Sequence, residues 1–148
     1  MRARIAPLLL LAAIPAAVLA GTPGVQNEAR ARQNWMLECQ GCHRPNATAT
    51  DGATPALAGF AARFLSVPGG REYLSRVPGV ANATISDRDL AELLNWTLYR
   101  FDQAHVPAGF RPYTAKEVGQ WRQKPLRTEA SSVRRNLVSA MPEEPRAR

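Results

Sequence analysis

Cysteine and histidine are scarce in this chain. Two of each occur in 148 residues, and methionine occurs three times. Two cysteines allow at most one disulfide, so a small fold stapled by several bridges is excluded. Strand-like alternation is nearly missing, which removes any convincing βαβ context. Internal repeats are missing too. After residue 20 no apolar run approaches the length of a membrane span. The basic residues are not interleaved with aromatics as in a nucleic-acid module, so nucleic acid is set aside as a partner.

What is present begins with a leader. Arg2 and Arg4 form a charged start, Ile5 to Leu19 is apolar apart from Pro7 and Pro15, and Val18-Leu19-Ala20 precedes Gly21 as a cleavage site. This pattern reads as a secretory signal peptide over residues 1–20, with an uncleaved N-terminal anchor as the alternative. The expected location is therefore periplasmic or otherwise exported, with no transmembrane segment in the mature chain. Without Arg2 and Arg4, 17 basic residues stand against 12 acidic ones, a net charge of about +5. Such a surface favours acidic partners, although much of the charge lies after residue 121.

The chemistry-bearing stretch is Cys39-Gln40-Gly41-Cys42-His43, which gathers both cysteines and one of the two histidines. Cys-x-x-Cys-His is the attachment signature of c-type haem. Two intervening residues let one helical turn present both thiols to one porphyrin edge, and the next residue, His43, then reaches iron. The expected cofactor is one covalently attached haem c, on Cys39 and Cys42, with His43 as axial ligand. The competing reading is a thiol-redox or metal-only site, which requires a different context.

Along the chain, residues 21–27 read as an irregular lead-in. Asn27 is placed to cap a helix from Glu28 to about Gln40, with Ala31, Trp35 and Cys39 on one face. Residues 44 to 56 carry turn chemistry throughout. Short helices are expected over Phe60 to Leu65 and Arg71 to Arg76, each ended by Pro-Gly. Ser86-Asp-Arg-Asp89 resembles a capping box and opens a helix to about Phe101 with a stripe of Leu90, Leu93, Leu94, Thr97, Leu98 and Phe101. Thr114 is placed to cap a helix from Ala115 to about Gln123. Residues 124–148 read as a disordered basic tail, with at most a transient helix near Ser131 to Val138.

An exported helical domain with its first helix running into Cys-x-x-Cys-His resembles class I cytochrome c, over roughly residues 28 to 101. Pro55-x-Leu57-x-Gly59 is similar to the family's Pro-x-Leu-x-Gly segment. The resemblance implies an all-α fold, a small cytochrome c-like haem domain over residues 28–123 in which 101–123 is an extension. It further implies that the Pro55 carbonyl accepts a hydrogen bond from His43, fixing its tautomer. The Ser86-to-Phe101 helix stands for the family's C-terminal helix, with Trp96 and Trp35 as the aromatics where it crosses the first helix. Trp35, Leu57, Val77 and Trp96 are the expected pocket lining.

One family feature is missing. Class I cytochromes carry a methionine followed by proline shortly before the C-terminal helix, and here Val77-Pro78 stands in that place. Valine cannot bind iron. Three solutions stay open: an open or water-bound sixth position under a lid of Val77, Leu74 and Val80; His105; or Met141, Lys116, Lys124 or a group from a partner. The expected function is that of an electron carrier and not an enzyme, passing one electron between a periplasmic dehydrogenase and a cytochrome or oxidase. Two alternatives remain. An open sixth site would bind a gas or peroxide, and the aromatics Phe110, Tyr113 and Trp121 could join a larger periplasmic dehydrogenase complex as its haem subunit.

Overall fold

The computed structural model describes residues 21–143 apart from 51 and 53. The leader expected over residues 1–20 lies outside the described residues. The fold is all-α, with no strand among the described residues. No helix in them is long and apolar enough to cross a membrane.

Helix α1, Glu28–Asn34, begins where Asn27 accepts a hydrogen bond from the Arg30 amide at 2.9 Å. It runs into a π turn, Trp35–Cys39, and then into α2, Gln40–His43. A 3₁₀ turn over Ala61–Ser66 precedes α3, Gly70–Arg76, and the short α4, Pro78–Ala81. The longest helix is α5, Asp87–Asp102, capped by Ser86, whose hydroxyl accepts from the Asp89 amide. A 3₁₀ turn, Gln103–His105, leads to α6, Ala115–Arg122. Thr114 and Glu117 close a reciprocal capping box at the start of α6, which satisfies two amides the helix itself leaves orphaned.

The core forms where α1 crosses α5. Ala31 is fully buried there, and its small side chain lets the two helices approach. Trp35 fills the space beside it at 2% exposure, and its ring lies 4.6 Å from Phe101 and 6.2 Å from Trp96 between centroids. The leucine stripe of α5 faces the same core. On the other side of α5, α6 packs so closely that a Cβ on Gly119 would collide with the Asp87 carboxylate.

Two local expectations change. The segment expected as a short helix over 60–65 is a 3₁₀ turn, Ala61–Ser66, whose Ala62 amide donates to the Asp102 carboxylate at 2.7 Å. The larger correction concerns the tail. Leu126 is buried, its amide donates to the Arg76 carbonyl at 2.8 Å, and Ala130–Ser139 forms helix α7. Val133, Leu137, Val138 and Met141 recur at helical spacing and pack against the core. Averaged composition hides this stripe, since the intervening residues are polar and charged. Residues 144–148 lie outside the described residues.

Candidate functional site

The site is built on the short arm from Trp35 to His43. In the π turn the Gln40 amide bonds to the Trp35 carbonyl five residues back. The extra residue turns Cys39 into the flank of the core, half-buried, while Cys42 is exposed. Both thiols are free. Arg44 ends α2 in the left-handed region at φ 57°, followed by Pro45, so the chain leaves sharply. The loop then folds back onto the arm. The Thr50 hydroxyl donates to the Cys42 carbonyl at 3.0 Å, and the Arg44 guanidinium to the Thr50 carbonyl at 3.2 Å. Ala47, buried and at φ 60°, receives both the Leu57 and the Ala58 amides on its carbonyl. That pair of bonds seats the Pro55–Gly59 segment beside His43.

The electrostatics separate the competing readings of the motif. Burial pushes the Cys39 thiol up to about 12, helped by the charge of Glu38 and by Cys42. A redox thiol of the thioredoxin kind needs the opposite shift. Burial lowers the pKa of His43, and the Pro55 carbonyl partly offsets it. The ring is therefore neutral near pH 7, with a nitrogen lone pair free to bind a metal. Its Nδ1 is buried and makes no hydrogen bond of standard geometry, so Pro55 acts on it through space as a nearby dipole. The Trp35 ring lies 6.3 Å from the His43 ring, and its Nε1 is a second buried nitrogen without a partner. A pair of unsatisfied buried nitrogens costs free energy unless another group completes the site. Two free thiols on one turn, a neutral imidazole at its end and an aromatic wall of Trp35, Trp96 and Phe101 fit a flat macrocycle carrying a metal.

The remaining residues of the expected site fall in different places. Trp96 is buried against Trp35, and Leu57 and Val77 are half-buried at the edge of the core. His105 sits on the turn after α5 with Nδ1 2.5 Å from the buried Asp102 carboxylate, whose other oxygen holds Ala62. Met36 is 47% exposed on the arm, Met141 is packed beside α7, and Lys116 and Lys124 are exposed.

Several residues that organise the site have no motif. Glu92, in α5, is 4% exposed; it accepts the Gln26 and Asn27 amides at 2.7 and 2.8 Å and the Arg30 guanidinium. Asn95 joins the Gly24 and Tyr113 carbonyls and the Tyr113 amide. The visible signal was a carboxylate and an amide set within an otherwise apolar stretch of α5. Glu38, just before Cys39, accepts the Thr84 amide and hydroxyl, linking the arm to the loop between α4 and α5. Arg122 grips that loop from the far side, donating to the carbonyls of Ala81, Ala83 and Ile85 and to Asp87.

Two curated proteins of Thermus thermophilus, each named cytochrome c-552, are 36% identical to the chain over 107 residues. The match covers 60% of this chain and 82% and 72% of the two relatives. The chain belongs to the c-type cytochrome family. No family model and no solved structure matches the cytochrome. The all-α fold built around the Cys39–His43 arm is what such a relationship leads one to expect of this cytochrome.

Proposed function

We propose that this cytochrome is an exported carrier of single electrons, with one haem c bound through Cys39 and Cys42 and its iron held by His43. When bound, the haem supplies one-electron exchange between ferric and ferrous iron. The observation that carries the reading is the neutral, half-buried His43 at the end of the turn that bears both free thiols. The chain's own residues supply attachment, orientation and exclusion of water. Pro55 biases the proton of His43 toward Nδ1, which leaves Nε2 as the ligating nitrogen. Trp35, Trp96, Leu57 and Val77 form the apolar surround. Exposed Cys42 leaves one edge of the site open to a partner, and the partner class is an exported dehydrogenase, cytochrome or oxidase.

The test is attachment followed by spectroscopy. The secreted protein, denatured and run on a gel, should retain haem stain and begin at Gly21. Cys39→Ala together with Cys42→Ala should abolish the stain. Retained stain in the double variant would refute the assignment.

A second reading concerns the iron's other face, and the placement of the methionines favours it. Val77 replaces the expected methionine, Met36 is exposed on the His43-bearing arm, and His105 is engaged by Asp102. Under this reading the sixth position is open and binds small ligands. Carbon monoxide should then alter the spectrum of the reduced protein, and an unchanged spectrum would close the question in favour of a protein ligand. If His105→Ala afterwards opened the site, that ligand would be His105. Membership of a larger complex is less favoured, because Tyr113 is buried and Phe110 and Trp121 pack on the core of their own chain.

A further inference from the structure

Asp102 closes α5 under two penalties. Its carboxylate is 1% exposed, and a negative charge in the last turn of a helix meets the negative end of the dipole. Two donors offset this, one on each oxygen: the Ala62 amide at 2.7 Å and His105 Nδ1 at 2.5 Å. A nitrogen that close to a carboxylate carries the proton, so the imidazole donates. An asparagine of the same shape has one oxygen and one NH₂. It would serve one donor and oppose the other unless the imidazole changed tautomer.

What this carboxylate holds is the segment behind His43. Beside it the Phe101 carbonyl accepts the Gly59 amide at 3.0 Å. The Phe60 and Ala61 amides donate to the Leu57 carbonyl, and the Leu57 amide donates to Ala47, in the loop that leaves the arm. A continuous run of hydrogen bonds therefore leads from the end of α5 to the Pro55–Gly59 turn. Pro55, Ala56, Ala58 and Gly59 are exposed, so packing alone does not seat them. Pro55 is the residue whose carbonyl acts on His43. We infer that Asp102 is a positioning residue for the haem ligand: it fixes the Pro55 carbonyl behind His43, and His105 steadies the carboxylate. The inference rests on the haem reading above and extends it to the far end of α5. A carbonyl beside the ligating imidazole makes it a stronger donor, which favours ferric iron. Loosening the segment therefore favours reduction.

The experiment reads two quantities in each holo-protein: the reduction potential, and hydrogen exchange at the Gly59 and Ala62 amides. Asp102→Ala removes both oxygens. It should raise the equilibrium constant for reduction about tenfold, about 59 mV for one electron, and speed exchange at both amides. Asp102→Asn removes the charge and keeps one oxygen. If the Ala62 amide stays protected in this variant, the potential should hold; if exchange quickens, the potential should rise with it. A potential that moves while Ala62 stays protected would assign the effect to charge alone. Quickened exchange at an unchanged potential would leave Asp102 an ordinary structural tie. Either result overturns the inference, and Asp102→Asn decides the matter even where Asp102→Ala does not fold. Thr114→Ala, which loosens α6, should leave the potential unchanged, and a shift equal to that of Asp102→Ala would count against positioning. A wild-type protein without covalent haem would instead defeat the proposed function, and the stain alone reveals that.

Discussion

At the α1–α5 crossing the buried charged group is an acceptor. Glu92 takes the Gln26 and Asn27 amides at the start of α1, together with Arg30. Along the strap formed by α6 and α7 the corresponding groups are arginines. Arg122 donates to three carbonyls between α4 and α5, Arg71 to the Arg111 and Pro112 carbonyls, and Arg76 to the Lys124 carbonyl. The contrast follows from which backbone groups each region leaves orphaned. A helix N-terminus exposes amides and the positive end of its dipole, so a carboxylate completes it. Irregular connections packed against helices expose carbonyls, so donors complete them. The sign of each side chain is set by the unpaired backbone it meets.

That contrast can be broken from either side. Glu92→Ala should have the largest effect, about 3 kcal/mol in denaturant unfolding of the holo-protein, because it strands two amides and leaves the Arg30 guanidinium with Asp89 as its one carboxylate partner among the described residues. A loss under about 1 kcal/mol would mean that water replaces the carboxylate and that the crossing is held by Trp35 and Ala31 alone. Arg122→Ala should cost about 2 kcal/mol, as expected for charged hydrogen bonds lost to carbonyls. It should speed hydrogen exchange at residues 81–87 more than in α1, and uniform acceleration would count against a local brace. Thr114→Ala should cost about 1 kcal/mol by removing one half of the α6 capping box.

The smallest effect is a pH dependence. Burial raises the pKa of Glu117, but hydrogen bonds from Arg71 and Thr114 and the charge of Arg71 outweigh it, so the folded pKa lies below the ordinary glutamate value. A depressed folded pKa contributes stability that is present above the unfolded value and is lost as pH falls through the folded one. The α6 strap should therefore loosen on acidification below the usual glutamate range. Glu117→Gln should flatten that part of the stability profile, and an unchanged profile would remove Glu117 as its source.

Much of this was legible in the residues before any coordinates. Asn27, Ser86 and Thr114 act as helix caps because each offers a short acceptor just before a periodic apolar run. Trp35 and Trp96 meet because the helical stripes of two elements bury the same face. Cys39, Cys42 and His43 are local, so spacing alone brings them together. The roles of Glu92, Asn95, Asp102 and Arg122 were not legible. Each depends on a partner 18 to 71 positions away, and backbone amides and carbonyls leave no trace in residue identity. The tail failed for a different reason: the stripe of α7 and Met141 just beyond it is four residues in a polar background, and it has value only because the core is there to receive it.

The π turn before Cys39 has a consequence for insertions and deletions. An α-helix advances about 100° per residue, and this turn absorbs one residue beyond the regular winding. The arm after it is therefore out of phase with α1, by an amount that the Trp35-to-Gln40 bond fixes. Deleting a single residue from 36–38 would give a better helix and a worse protein. Trp35 would keep its berth against Phe101, while both thiols and the imidazole swung round the axis together, away from Pro55. The irregular turn is the angular index of the motif, and the motif can tolerate changes of residue there far better than changes of length.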